Sequence, residues 1–184
     1  MSFFTLLFPM LLAVGSTMRR GAMPAPIAGA PESIKLFYRV VCAPDRINDD
    51  LPLLLFLQGG PGGESPRPLS PTSDGWIEEA VKHFRVVLPD QRGTGRSSCV
   101  DGRTIKALGD RATAAGGDTA RSQADFLKRH LASSIVRDFE YLRLVGFGGK
   151  PWVTLGQSYG GFLTLSYLSL FPEGVAASFT CGGI

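Results

Sequence analysis

The stretch Pro151-Trp152-Val153-Thr154-Leu155-Gly156-Gln157-Ser158-Tyr159-Gly160-Gly161-Phe162 decides how the chain is read. Val153, Thr154 and Leu155 form a short apolar run of buried-strand length. Gly-x-Ser-x-Gly-Gly follows at once. Phe162, Leu163, Leu165, Tyr167, Leu168 and Leu170 then recur with helical spacing. Strand, Gly-x-Ser-x-Gly and helix, in that order, make the context of a nucleophile elbow. A tight, strained turn there lifts the serine hydroxyl clear of the sheet. Small residues two before and two after the serine are needed because a side chain would collide with the neighbouring strand and helix. Ser158 is therefore the candidate nucleophile. The competing reading is a glycine-rich strand-to-helix turn with a bystander serine.

Upstream, the pattern is buried strands alternating with helices. Ile34 to Val41 alternates in part and reads as a strand, and Asp45 to Asp50 as a turn. Leu53 to Leu57 is a continuous apolar run, as in a strand buried on both faces. Asp74 to Phe84 reads as a helix capped by Asp74, and Arg85 to Leu88 as another buried strand. Residues 98–120 show no clear period and read as a surface loop with at most a short helix. Gln123 to Val145 reads as one long amphipathic helix, with Leu127, Leu131, Ile135, Phe139, Leu142 and Val145 at three- and four-residue steps. Gly174 to Ile184 reads as the next strand. Such alternation predicts an α/β fold with a mostly parallel sheet and right-handed crossovers. Loops at the carboxyl ends of such strands carry function. Gln58–Gly63, Asp90–Ser97 and Gly156–Gly161 all fall at such ends.

Bulk composition narrows the class. The 184 residues are 44% hydrophobic and 19% charged, which suits one domain with a real core. The net charge of +3 has no basic block, so nucleic acid is not an expected partner. Cys42, Cys99 and Cys181 are odd in number and far apart, against a disulfide framework or a zinc site and in favour of a reducing, cytoplasmic setting. Phe3 to Val14 is strongly apolar but has no preceding Lys or Arg, and it is too short for an ordinary transmembrane helix. It is open to three readings. One is an atypical signal, which would make the protein secreted. The others are a buried or mobile segment, or an upstream start codon with the true start at Met18 or Met23. Residues 19–31 read as an irregular lead-in.

A serine hydroxyl attacks only when a base takes its proton, and the oxyanion that forms needs preorganised donors. One donor of an elbow is the N–H after the serine, here Tyr159. The second comes from a loop after an earlier strand. Gly59-Gly60-Pro61-Gly62 suits that task, and the Gly60 N–H is the chosen donor. Asp90-Gln91-Arg92-Gly93-Thr94-Gly95-Arg96-Ser97 lacks the spacing of a phosphate loop. Its expected role is structural, with Asp90 and the two arginines bonding loop backbone and burying salt bridges.

These three loops, in this order, resemble the proline iminopeptidase (prolyl aminopeptidase) family of α/β-hydrolase serine peptidases. The resemblance runs from about Ile34 to the C-terminus and covers the family's N-terminal portion only. Gln58, where many members carry His, looks like the larger bacterial subgroup. The resemblance implies an α/β-hydrolase fold with flanking helices, truncated after the strand that follows the elbow. It implies release of proline from a peptide with N-terminal proline, without cofactor or metal. Ser158 matches the family nucleophile, and Gly60 and Tyr159 match its oxyanion donors.

One departure is large. The triad order in α/β-hydrolases is Ser, then Asp or Glu, then His. After Ser158 there is no Asp and no His, and Glu173 is the one acid. His83 and His130 both precede the serine and read as surface or packing residues. The helical cap that would bind the substrate's amino group also lies downstream in the family. The expectation is thus a lead-in over residues 1–31 and the N-terminal part of a catalytic domain over 32–184, inactive alone. The alternatives are another α/β-hydrolase, esterase-like, or a non-catalytic remnant.

Overall fold

The computed structural model describes residues 15–21, as backbone, together with 34–69 and 75–183. The apolar stretch Phe3–Val14, residues 22–31 of the expected lead-in, and the expected cap Asp74 lie outside the described residues. Six strands form one sheet: β1 (Gly15–Gly21), β2 (Ile34–Val41), β3 (Leu53–Leu57), β4 (Arg85–Pro89), β5 (Trp152–Gln157) and β6 (Val175–Cys181). Their spatial order is β1-β2-β4-β3-β5-β6. The β4-β3-β5-β6 portion is parallel, whereas β1 and β2 run antiparallel to their neighbours.

Alternation along the central strands divides the core in two. Leu53, Leu55, Leu57 and Val87 face one side, where they meet Ile135, Val136, Phe139 and Leu142 of α4 (Ala132–Gly146) and Leu163 and Tyr167 of α5 (Tyr159–Leu170). Leu54, Phe56, Val86 and Leu88 face the other, against Ile77 of α1 (Gly75–Ala80) and the nearby Val81. Every residue of β3 is buried, as its unbroken apolar run requires when helices cover both faces.

Four expectations change. Gly15–Gly21, part of which was read as irregular lead-in, is a strand, because pairing with β2 supplies backbone partners that composition does not reveal. The helix read from Asp74 to Phe84 ends as α1 at Ala80, followed by a turn. Residues 98–120 hold a 13-residue helix, α2 (Gly102–Ala114). Asp101 caps it through the Thr104 N–H, and Thr104 returns the bond to the Asp101 N–H. Only Gly109 of α2 is buried, so no apolar period marked it. Finally, the long helix read over 123–145 is broken into α3 (Thr119–Leu127), a short 3-10 turn (Lys128–His130) and α4. Leu131 is extended at the break and 58% exposed, so its place in the apolar period was a coincidence of spacing.

The parallel run of β4, β3 and β5 puts Asp90–Ser97, Gln58–Gly63 and Gly156–Gly161 at one edge of the sheet.

Candidate active site

Ser158 links β5 to α5 with φ 56° and ψ −123°. It is the one residue other than glycine with positive φ among the described residues. A non-glycine residue takes such a conformation only when its surroundings impose it. Three close approaches impose it here. A Cβ on Gly160 would collide with the Leu57 carbonyl oxygen, and one on Gly156 with the Gly160 carbonyl oxygen. One on Gly161 would lie 2.5 Å from the Gly183 Cα. The Ser158 N–H donates to the Cys181 carbonyl at 2.8 Å, and the Ser158 carbonyl accepts from the Gly161 N–H at 2.8 Å. The backbone is thereby pinned on both sides, and the serine itself is exposed.

The loop after β3 packs directly on this turn. A Cβ on Gly59 would come within 2.7 Å of the Gln157 carbonyl oxygen and 3.3 Å of the Ser158 Cβ. Gly60, next in the chain, has φ 112°, a conformation that L side chains rarely adopt. Tyr159 opens α5, so its N–H is among the helix's first-turn donors, which have no partner four residues back. Its ring stacks on Phe162 with centroids 6.0 Å apart, and burial raises its hydroxyl pKa.

The loop after β4 holds the loop after β3 in place. The Gln91 side chain, almost fully buried, donates to the Gln58 carbonyl at 2.7 Å. Asp90 is fully buried and accepts from the Ser65 N–H at 3.1 Å, the Arg67 guanidinium at 2.7 Å and the Arg96 N–H at 2.8 Å. Ser65 also donates its hydroxyl to the Pro89 carbonyl. Arg92 makes a buried two-pronged bond to Asp138 of α4, both at 2.6 Å. Of the two arginines expected in buried salt bridges, Arg92 is in one. Arg96 is exposed and serves Asp90 through its backbone, while Arg67 supplies the charge. Gln91, Ser65 and Arg67 were missed as site-building residues, because only the fold brings them to their partners.

Neither histidine is hydrogen-bonded to Ser158. His83 lies just before β4, at the amino edge of the parallel strands and opposite the elbow, and faces Glu79 at 3.6 Å. His130 packs beside Phe126 and donates its Nδ1–H to the Phe126 carbonyl, 3.1 Å away. Burial pulls its pKa below the ordinary value. Glu173 precedes β6, so it too sits at the edge away from Ser158. Among the described residues, no three or more His, Cys, Asp or Glu side chains are grouped to hold a metal ion, and no helix is long and apolar enough to cross a membrane.

Residues 52–183 match the family model of the α/β-hydrolase fold, and the chain belongs to that family. It is 45% identical to a proline iminopeptidase of Aeromonas sobria over 153 residues, 83% of this chain and 33% of that protein. It is 35% identical to one of Aspergillus aculeatus over 158 residues, 82% of this chain and 33% of the other. The chain thus spans about a third of the length of these curated relatives. Among solved structures, an α/β fold family hydrolase from Bacillus anthracis superposes with a TM-score of 0.52 at 16% identity, covering 90% of this chain and 43% of that one. That likeness concerns the fold alone.

Proposed function

We propose that this chain is the nucleophile-bearing part of a serine hydrolase that releases N-terminal proline from peptides. The observation that carries the reading is the positive-φ turn at Ser158 with Gly59 packed against it. In this reading the Ser158 hydroxyl attacks the proline's own carbonyl carbon. A base outside the described residues takes the hydroxyl proton and passes it to the departing amine of the second residue, and water then frees the proline from its ester with Ser158. The N–H groups of Gly60 and Tyr159 take the oxyanion, a contribution worth about 3–4 kcal/mol per donor at such sites. Similarity to the two proline iminopeptidases supports proline as the released residue. No metal or cofactor has a part in this chemistry. Free thiols at Cys42, Cys99 and Cys181 support a reducing compartment, which we take to be the cytoplasm. We assign residues 32–184 as the N-terminal part of the catalytic domain, in which, among the described residues, neither histidine is hydrogen-bonded to Ser158.

A chimera tests the reading. Residues 34–183 replace the matching segment of the Aeromonas sobria relative, and release of arylamine from a proline arylamide is compared with hydrolysis of a short acyl ester. Proline release should depend on Ser158, with Ser158→Ala lowering kcat/KM by about 10³-fold or more. Equal activity in Ser158→Ala would remove the serine from the mechanism. A chimera that cleaves only the ester would make the chain esterase-like. The 184-residue chain alone should release no proline, and release abolished by Ser158→Ala would show that it carries its own base.

A further inference from the structure

Three guanidinium groups converge on one buried ring away from the elbow. The Phe37 ring is 1% exposed, and the Arg39, Arg67 and Arg96 guanidinium carbons lie 5.9, 5.0 and 5.4 Å from its centroid. Each guanidinium is attracted to the ring face, while the three like charges repel one another. Two carboxylates are near, and Arg67 occupies both, bonding Glu64 at 2.6 Å and Asp90 at 2.7 Å. Asp90 gives its remaining acceptor capacity to backbone N–H groups of Ser65 and Arg96. Among the described residues, no ion pair reaches the guanidiniums of Arg39 or Arg96. The Arg39 Nε–H is moreover a buried donor with no hydrogen-bond partner. A buried donor left without an acceptor is destabilising, the more so on a charged group, so it marks a place where a partner belongs. Burial, and after it Arg67 and Arg96, lower the Arg39 pKa, against a smaller opposing pull from Asp90 and Glu64.

We propose that Arg39, Arg67 and Arg96 form a binding site for an oxyanion group, a carboxylate or a phosphate. The Arg39 Nε–H and the Arg96 guanidinium are its direct donors. The planar fork of a guanidinium matches the two oxygens of either group. Arg67 contributes by neutralising Asp90 and Glu64, which would otherwise repel an anion. Arg67 follows the loop after β3, and Arg96 belongs to the loop after β4, so the site adjoins the sheet edge that carries Ser158. Phe37 is on β2, three strand positions from β5, or about 14 Å across the sheet at ordinary strand spacing. An extended peptide of about four residues covers such a distance. The oxyanion therefore has two possible sources, a free small anion or the carboxyl end of a short peptide. Binding itself requires no reactivity at Ser158.

The Arg Nε–H resonances of the full chain report on this site in nitrogen-15-edited NMR. Sodium phosphate, sodium acetate, and a proline-initiated tetrapeptide with a free or an amidated carboxyl end are titrated at constant ionic strength set with chloride. The Arg39 Nε–H resonance should shift and saturate. Saturation by phosphate or acetate identifies a free anion. Saturation by the free-acid peptide and not by its amide identifies the peptide end. Arg96→Gln, at an exposed position, should weaken binding about tenfold or more. Arg39→Gln should abolish it, and Arg96→Gln decides the matter if that variant does not fold. The proposal is overturned if nothing saturates the resonance, if the amide binds as well as the acid, or if Arg96→Gln binds as tightly as the parent.

Discussion

Gly160 has no room for a methyl group, because the Leu57 carbonyl occupies the space. Gly160→Ala must move β3 and α5 apart, at a cost of about 3 kcal/mol. Urea unfolding would show it as a lower midpoint, and an unchanged midpoint would mean that the elbow is looser than described. This part of the site was legible in the sequence, since close backbone approach admits only glycine at fixed offsets from Ser158. In the second loop the Gly-Pro-Gly context points to Gly60, whereas Gly59 is the residue packed against the elbow. Gln91 could not be read at all. Its role rests on one hydrogen bond to Gln58, 33 residues away, and nothing local distinguishes it from a surface glutamine.

At the scale of elements, α4 ties the loop after β4 to α5. Asp138 holds Arg92 of the loop after β4. Two residues on, Glu140 accepts from Arg143 at 2.8 and 2.6 Å and from the Tyr167 hydroxyl of α5 at 2.7 Å. The Tyr167 hydroxyl in turn accepts from Trp152 Nε1–H of β5 at 3.1 Å. The Arg143 bond, and then the Tyr167 bond, keep the Glu140 carboxyl below the ordinary glutamate range. Its folded pKa is thus lower than its unfolded value of about 4.3. The stabilisation is complete above that value and fades as pH falls through the folded one. Glu140→Gln should therefore be less stable than the parent near neutrality, with the gap closing in acid. Chemical denaturation from about pH 7 to about pH 2.5 checks this, and a constant gap would deny Glu140 its charged role. The helix itself was read from its apolar steps, but its start was not. The period ran smoothly through Leu127 and Leu131, whereas full burial begins only at Ile135.

For the molecule as a whole, the order of buried strands and helices gave away the parallel centre of the sheet. Its antiparallel margin was hidden, because β1 has no apolar alternation to announce it. The surface carries one further consequence of α5. This helix is apolar nearly all round, a pattern suited to burial on every side. Phe162, Leu165, Leu168 and Leu170 are nevertheless 49%, 39%, 38% and 40% exposed. A contiguous apolar face of this kind drives association. The purified chain should scatter light in a concentration-dependent way, and Leu165→Ser with Leu168→Ser should reduce the scattering without lowering the melting temperature. Undiminished scattering would locate the sticky surface elsewhere. The torsion at Ser158 has a consequence of another kind. A strained non-glycine conformation costs about 1–3 kcal/mol, more than the extra chain entropy of glycine. Ser158→Gly should melt about 2–4 °C higher than the parent while losing the hydroxyl. A laboratory selection for heat resistance alone would discard the proposed nucleophile, and only a selection for the proposed chemistry would keep it.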